Sequence, residues 1–563
     1  MSVVYFNYDP AHRPNLHGDI LGSLKGHRLG IITREPREEV MTALRNDGVL
    51  DYFEEDLFVR RDDDPNATYS EAAKRARVTS DQVYYVDSDY EEVGYAAGTG
   101  IRAVIDPSRI SLVNAVQAID IGGIAACFED ARAAALNNDA GPDGETDFGR
   151  LLQRLDAARV RMPPLYLAAA HAPFVATLGT LGANGFTKIM ANDPDTGTLM
   201  QDIAHSILQN GERFEDTATD AFEEVVTDLY DGFLSAQDRK GIKTPDRVVL
   251  PPLVKWGNPN DGPYTWPADA TQNFKVECAV VNMPPANAKA GLMAWAALAH
   301  ETAGHDILHA DKGLQGELSD AVAERLQPLG LGLADYWSAR IDESASDVMG
   351  ILNLGPAAAI GMVVFFRGLL ASTGRPPRLR NDGSSDDPHP ADILRGYLGA
   401  ATVRRLSFTG AAAWANVIET ETERDAIGPL FDIAGISVPK AKARQSARLV
   451  AEVIAMHKCE VLRNHALIEI QNWRDADETI AQTIVPALVT SVSMPSSVNG
   501  AGVFAAHVVA AAVYAALSGK TQPSIVFKRM VTVLKAMHDG NPAWGPLHVI
   551  HPSSIYRDLA YHI

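Results

Sequence analysis

Basic residues are scarce in this 563-residue chain: 50 Lys and Arg face 71 Asp and Glu, leaving a net charge of −21. A surface of that sign repels a phosphate backbone or an anionic bilayer, which excludes nucleic acid and membrane as partners. Cysteine is scarcer still. Cys127, Cys278 and Cys459 lie far apart with no CxxC pair, which argues against a disulfide framework or a thiolate zinc site. The N-terminal stretch MSVVYFNYDPAHRP has no charged leader followed by a long apolar run, so no signal peptide is expected. Long apolar runs are also missing. "GPAAAIGMVVFF" (355–366) stops at Arg367, and "AGVFAAHVVAAAVYAALSG" (501–519) is alanine-rich with His507 inside. Both fall short of about 20 strongly apolar residues and read as buried helices. Together these absences predict a soluble, cytoplasmic protein.

What is present is ordinary globular material, 46% apolar and 21% charged, and too much of it for one core. Residues 1–112 alternate β-branched runs (SVVYF, RLGIIT, EDLFV, QVYYVDS, IRAVID) with helical stretches, which predicts a small parallel sheet covered by helices. Beyond 113 helical segments dominate. The expected layout is an α/β domain (1–112), a helical connection (113–160), a mainly α-helical domain (161–400) and a C-terminal helical region packed on it (401–563).

The first 105 residues resemble the haloacid dehalogenase superfamily of phosphohydrolases, on "FNYDP", "GIITR" and "YYVDSDYEE". Thr33 matches the second motif, with Asp87 and Glu91 as acidic members of the last. Asn7 stands where the resemblance requires the attacking aspartate, and a carboxamide cannot form an aspartyl-phosphate. Acidic Asp62 stands near the expected lysine. The resemblance therefore implies a silent scaffold or docking domain, with residual phosphatase activity through Asp9 as the alternative.

The densest chemistry is "AALAHETAGHDILHAD" (296–311), three histidines and a glutamate in an alanine-rich run. Histidines four apart sit about 40° apart around a helix and can share a metal, whereas a spacing of five turns the second about 140° away. His300 and His305 are five apart, so sharing requires a one-residue bulge, least costly near Gly304. Glu301, His305 and His309 form a rival set needing no bulge. The HExxGH pattern resembles dipeptidyl peptidase III, a zinc peptidase. "ARIDESASDVMGIL" (339–352) resembles the third-ligand helix of thermolysin-like peptidases, which implies Glu343 as ligand and Asp347 as the group orienting a histidine. "HPADILR" (389–395) resembles the HPxxxxR segment of CaaX-type and heat-shock zinc peptidases, which implies that His389 and Arg395 stabilise an oxyanion.

These resemblances imply a zinc metallopeptidase acting on a peptide or small amide. Zn2+ would be held by His300, His305 and Glu343, with Glu301 as general base. "KVECAVVNMP" (275–284) is expected to be a strand that aligns substrate by backbone pairing. The rivals are a non-catalytic, metal-stabilised binding protein and a non-peptidase, iron-type enzyme on the rival set. His465 and His507 read as core histidines.

Overall fold

A computed structural model describes the chain apart from residues 1–2, 9–20, 88–91, 106–118, 236–237, 247–249, 260–261, 491–502 and 540–563, and positions 23, 25–26, 63, 94, 97–98, 140 and 143. Asp9 and Glu91 lie outside the described residues. The chain divides into two compact units: Met1–Ile119 with Ser407–Trp414, and Asp120–Leu406 with Ala415–Ile563.

In the first unit five parallel strands, β1 (Val3–Asn7), β2 (Arg28–Thr33), β3 (Phe58–Arg60), β4 (Val83–Asp87) and β5 (Arg102–Ile105), stand in the order β3-β2-β1-β4-β5. Helices α1 (Arg37–Asn46) and α2 (Pro65–Ala76) supply crossovers. β1 reads VVYFN with four of five residues buried, the signature of a parallel strand covered on both faces. At the carboxyl ends of the strands the Asn7 amide donates to Asp87 (3.0 Å). The cation expected near Asp62 is present one residue earlier: Arg61 lies 3.4 Å from Asp87 and 3.0 Å from Glu92, already neutralised by both.

The second unit is helical. Its described helices include α3 (Ile124–Ala135), α4 (Phe148–Ala158), α5 (Pro194–Glu212) and α6 (Asp216–Leu234). A three-stranded sheet follows, from β6 (Leu253–Trp256), β7 (Tyr264–Trp266) and β8 (Val280–Met283). Then come α7 (Leu292–His300), α8 (Leu314–Leu326), α9 (Ile341–Leu354), α10 (Pro356–Ser372), α11 (Asp392–Val403), α12 (Lys440–Met456), α13 (Ala505–Leu517) and α14 (Pro523–Asp539). α7 (LMAWAALAH) and α13 (AAHVVAAAVYAAL) are buried at every position, as helices apolar all round must be. α7 packs on α9, α10 and α13, placing His300 inside the unit. α9 and α10 are separated by Gly355, whose φ of 67° and closeness to Trp473 (2.5 Å from an added Cβ) suit glycine alone.

Two expectations need correction. The stretch 113–160 is not a separate connection where it is described: α3 packs on α10 and α4 on α5, inside the second unit. Past residue 400, α12 packs against α11 and α13 against α7, within the second unit. The expected substrate strand, β8, pairs with β6 on one side and β7 on the other, so it offers no free edge; β6 and β7 are the outer strands. Among the described residues one helical stretch, Pro164–Asn192, is long and apolar enough to cross a membrane, with 33% of its apolar window buried. The two runs flagged in the sequence are shorter, Pro356–Ser372 and Ala505–Leu517. His507 is a satisfied core residue, accepting from the Phe504 amide (3.0 Å) and facing Asp477 (3.1 Å).

On α6 the Glu223 carboxyl is 1% exposed, and burial together with Asp220 and Glu224 holds its pKa well above the ordinary range. A raised folded pKa means stability that is full below the unfolded value, about 4.3, and drains as pH rises towards the folded one. Glu223→Gln should remove that loss. The gap in urea midpoint between variant and wild type is expected to widen between pH 5 and pH 8, by about 1 kcal/mol or more in stability; a gap independent of pH would show that Glu223 does not titrate between the two states.

Candidate metal centre

α7 ends at His300 and continues into a π-helical turn, Glu301–Asp306, before a short 3-10 turn, Ile307–Ala310. The wider turn absorbs the extra residue that separates the histidines, so His300 and His305 meet with ring centroids 4.9 Å apart. Gly304 serves a different need from easy distortion. A Cβ there would lie 1.9 Å from the Ser346 side chain, so the turn must press its backbone against α9. Gly350 does the same one turn along: its Cβ would stand 2.9 Å from the Ala299 carbonyl.

This contact brings α9 under the histidines. His300 Nε2 lies 3.2 Å from His305 Nε2 and 3.3 Å from Glu343 Oε2, and His305 Nε2 is 3.7 Å from Glu343 Oε1. Two donors each about 2.1 Å from one tetrahedral cation stand about 3.4 Å apart, so the spacings match a shared ion. Each ring is also anchored from behind. Asp347 Oδ1 takes His300 Nδ1 (2.7 Å) and Asp342 Oδ2 takes His305 Nδ1 (2.7 Å), turning both Nε2 atoms inward. Glu343 Oε2 is buried without a well-formed hydrogen bond. Three converging acceptors with one buried oxygen unsatisfied fit a divalent cation.

The charges agree. Burial opposes a proton on His300, but Asp347 and Glu343 outweigh it and raise its pKa to about 10. Burial likewise opposes charge on His305, and its bond to Asp342 raises it. Burial works to raise Glu343, yet His300 brings it down to about 2. The pocket thus attracts positive charge, as protons or as a metal.

Glu301 is buried beside these groups, its Oε2 accepting from Thr265 Oγ1 (3.0 Å) on edge strand β7. The strand's alternation explains this: Tyr264 and Trp266 point the other way and donate to Asp202 on α5 (2.6 and 2.7 Å). His389, with a side chain 44% exposed, stands 3.4 Å from Glu343 Oε1 and hydrogen-bonds Asp387 through Nδ1 (2.9 Å). Its loop is held by Arg340, which donates to the carbonyls of Ser384, Ser385 and His389. His300, Glu301, His389 and Arg395 line one cleft of about 420 Å³, whose far wall is apolar: Met362, Phe365, Phe366, Leu369 and Leu370.

Two expected roles change. Arg395 gives Nε (2.8 Å) and Nη2 (2.7 Å) to Asp347 and stacks over Phe366, so it fixes the group behind His300. His309 does not join His305 and Glu301 around a common point; it reaches Asp269 (3.3 Å) and Asp342 (3.4 Å) instead. Asp342, Thr265 and Arg340 escaped the sequence reading. Asp342 looked like an acidic helix start, and the other two act across tertiary contacts that no local pattern signals. No known protein family, curated protein or solved structure matches this chain.

Two outcomes follow. Gly304→Ala should push the turn off α9, costing about 3 kcal/mol and most of the metal affinity; a variant with wild-type melting temperature and metal content would refute the close-contact argument. Metal binding should release at least one proton per ion between pH 7 and 9, since the cation displaces protons from His300 and His305. Affinity then climbs about tenfold per pH unit for each proton released. Calorimetry in buffers of different ionisation enthalpy measures this, and zero release would contradict it.

Proposed function

We propose that the helical unit is a zinc-dependent hydrolase of peptide or small amide bonds, with His300, His305 and Glu343 as the metal ligands. The observation that carries this reading is the buried carboxylate of Glu301, adjacent in sequence to the ligand His300, opening on the same cleft as His300 and His389. A purely structural metal would have no use for an unliganded carboxylate facing a cleft.

Zinc bound there would acidify a coordinated water to a pKa near 7 and polarise the substrate carbonyl. Glu301, oriented by Thr265, takes the proton from the attacking water and returns it to the leaving amine. His389 donates to the oxygen that gains negative charge. Asp347 and Asp342 hold the two imidazoles in the tautomer that presents Nε2, and Arg395 holds Asp347. The apolar wall of Phe365, Phe366 and Leu369 suits a bulky apolar side chain beside the scissile bond. Edge strand β7, next to Glu301, pairs with β8 on one side only among the described residues, and an extended peptide would add on its other side.

The N-terminal unit reads as a haloacid dehalogenase-like scaffold: among the described residues a carboxamide, Asn7, ends the first strand where the attacking aspartate is required, and Arg61 is taken up by Asp87 and Glu92. The three thiols are free and buried, as suits a reducing cytoplasm.

Metal content and cleavage of a mixed peptide library, measured together, test the reading. Wild type should bind zinc and cleave; Glu301→Gln should keep the zinc and lose at least about a hundredfold in turnover. Full activity in Glu301→Gln, or zinc without any cleavage by wild type, would favour the metal as a structural brace.

A further inference from the structure

A second set of ligand-type side chains converges away from the cleft. Glu317 lies on α8, His457 caps the end of α12, and Cys459 starts the loop beyond it; one donor atom from each falls within 4.8 Å of the others. His457 Nε2 stands 3.6 Å from Glu317 Oε1. That is too long for a good hydrogen bond, and near the separation of about 3.4 Å kept by two ligands on one tetrahedral ion.

The loop is built to hold the thiol in place. Cys459 N–H donates to the His465 carbonyl (3.1 Å), and the Asn464 N–H donates back to Cys459 O (2.8 Å). Arg463 and Asn464 take left-handed φ values of 54° and 60° to close the turn. Glu317 meanwhile accepts the Glu460 and Val461 amides (2.5 and 3.0 Å), one on each oxygen. A carboxylate offers about four acceptor positions, so these two bonds orient it and leave lone pairs for a cation. The Cys459 side chain is fully buried, whereas His457 is 37% and Glu317 20% exposed. Three protein donors thus close the inner side of the site and leave the outer side open to water.

We propose that Glu317, His457 and Cys459 form a second zinc site, which clips the end of α12 to α8. Sulfur, nitrogen and oxygen in one set select zinc over magnesium or calcium, whose preference is for oxygen alone. On binding, the Cys459 S–H bond breaks, the thiolate sulfur bonds the metal, and the proton leaves to solvent. Without a metal the thiol makes only a weak contact with the His457 carbonyl (3.6 Å). The site does not depend on the hydrolase reading, because it shares no residue with the first centre. The sequence hides it: Glu317 lies far upstream of the HKC triplet at 457–459, and no CxxC marks it.

Cobalt(II) substitution of the full chain separates the two centres, since only this one contains sulfur. Wild type should show the intense near-ultraviolet thiolate-to-cobalt absorption. Cys459→Ser and His457→Ala should lose it, while Glu343→Ala should keep it. Zinc content should be about two per chain in wild type and about one in Cys459→Ser. His457 is partly exposed, so His457→Ala tests the idea even if the buried serine disturbs folding. Absence of the band in wild type, or its persistence in both Cys459→Ser and His457→Ala, would overturn the proposal.

Discussion

Too many acceptor atoms share one small volume at the end of α7, and the helical unit is arranged around that fact. Glu301, Glu343 and Asp347 are all at least nine-tenths buried within reach of two imidazoles. Like charges held this far from water repel one another with little screening. Such a cluster survives only if positive charge is built in. Arg395 supplies one fixed charge against Asp347, and the histidines supply the rest as imidazolium or by giving way to a cation. The division is useful, because the fixed charge stays behind the histidines while the exchangeable one faces the cleft.

Packing enforces this electrostatic arrangement. α9 can carry Glu343 to the histidines only because glycine occurs where the helices touch, Gly304 against Ser346 and Gly350 against the Ala299 carbonyl. The same helix presents Asp342 and Asp347 on either side of Glu343, so a single rigid body delivers one carboxylate to the histidines and two anchors behind them. Thr265 and Arg340 extend that logic to β7 and to the 384–389 loop, fixing Glu301 and His389 from different directions.

Much of this site was legible in the sequence because its parts are local. Five-residue histidine spacing implies a bulge by arithmetic alone, and residues four apart on a helix, such as Glu343 and Asp347, share a face. The parallel sheet of the first unit was equally legible from β-branched runs alternating with helices. What stayed hidden depends on tertiary neighbours. The partner of Arg395 is an aspartate on another helix, and a motif cannot state which way a guanidinium turns. β8 is the central strand, paired on both sides, and β7 is an outer one beside Glu301, a property of the sheet and invisible in either strand. Residues 113–160 read as a connection, yet α3 and α4 bury apolar faces against α10 and α5, contacts that no local pattern signals.

The π-helical turn separates two reading frames. Upstream of it, α7 is in register with the core through Trp295 and Leu298; downstream, the Asp306 carboxylate accepts the Ala268 amide (2.8 Å) and Ile307 and Leu308 are buried. A regular helix would need a residue removed to align the histidines, and everything after the deletion would rotate by about 100°. The single-residue widening lets histidine spacing and downstream packing vary independently. An insertion or deletion at this turn is therefore an exchange between two self-consistent arrangements, each requiring its own set of contacts after residue 306.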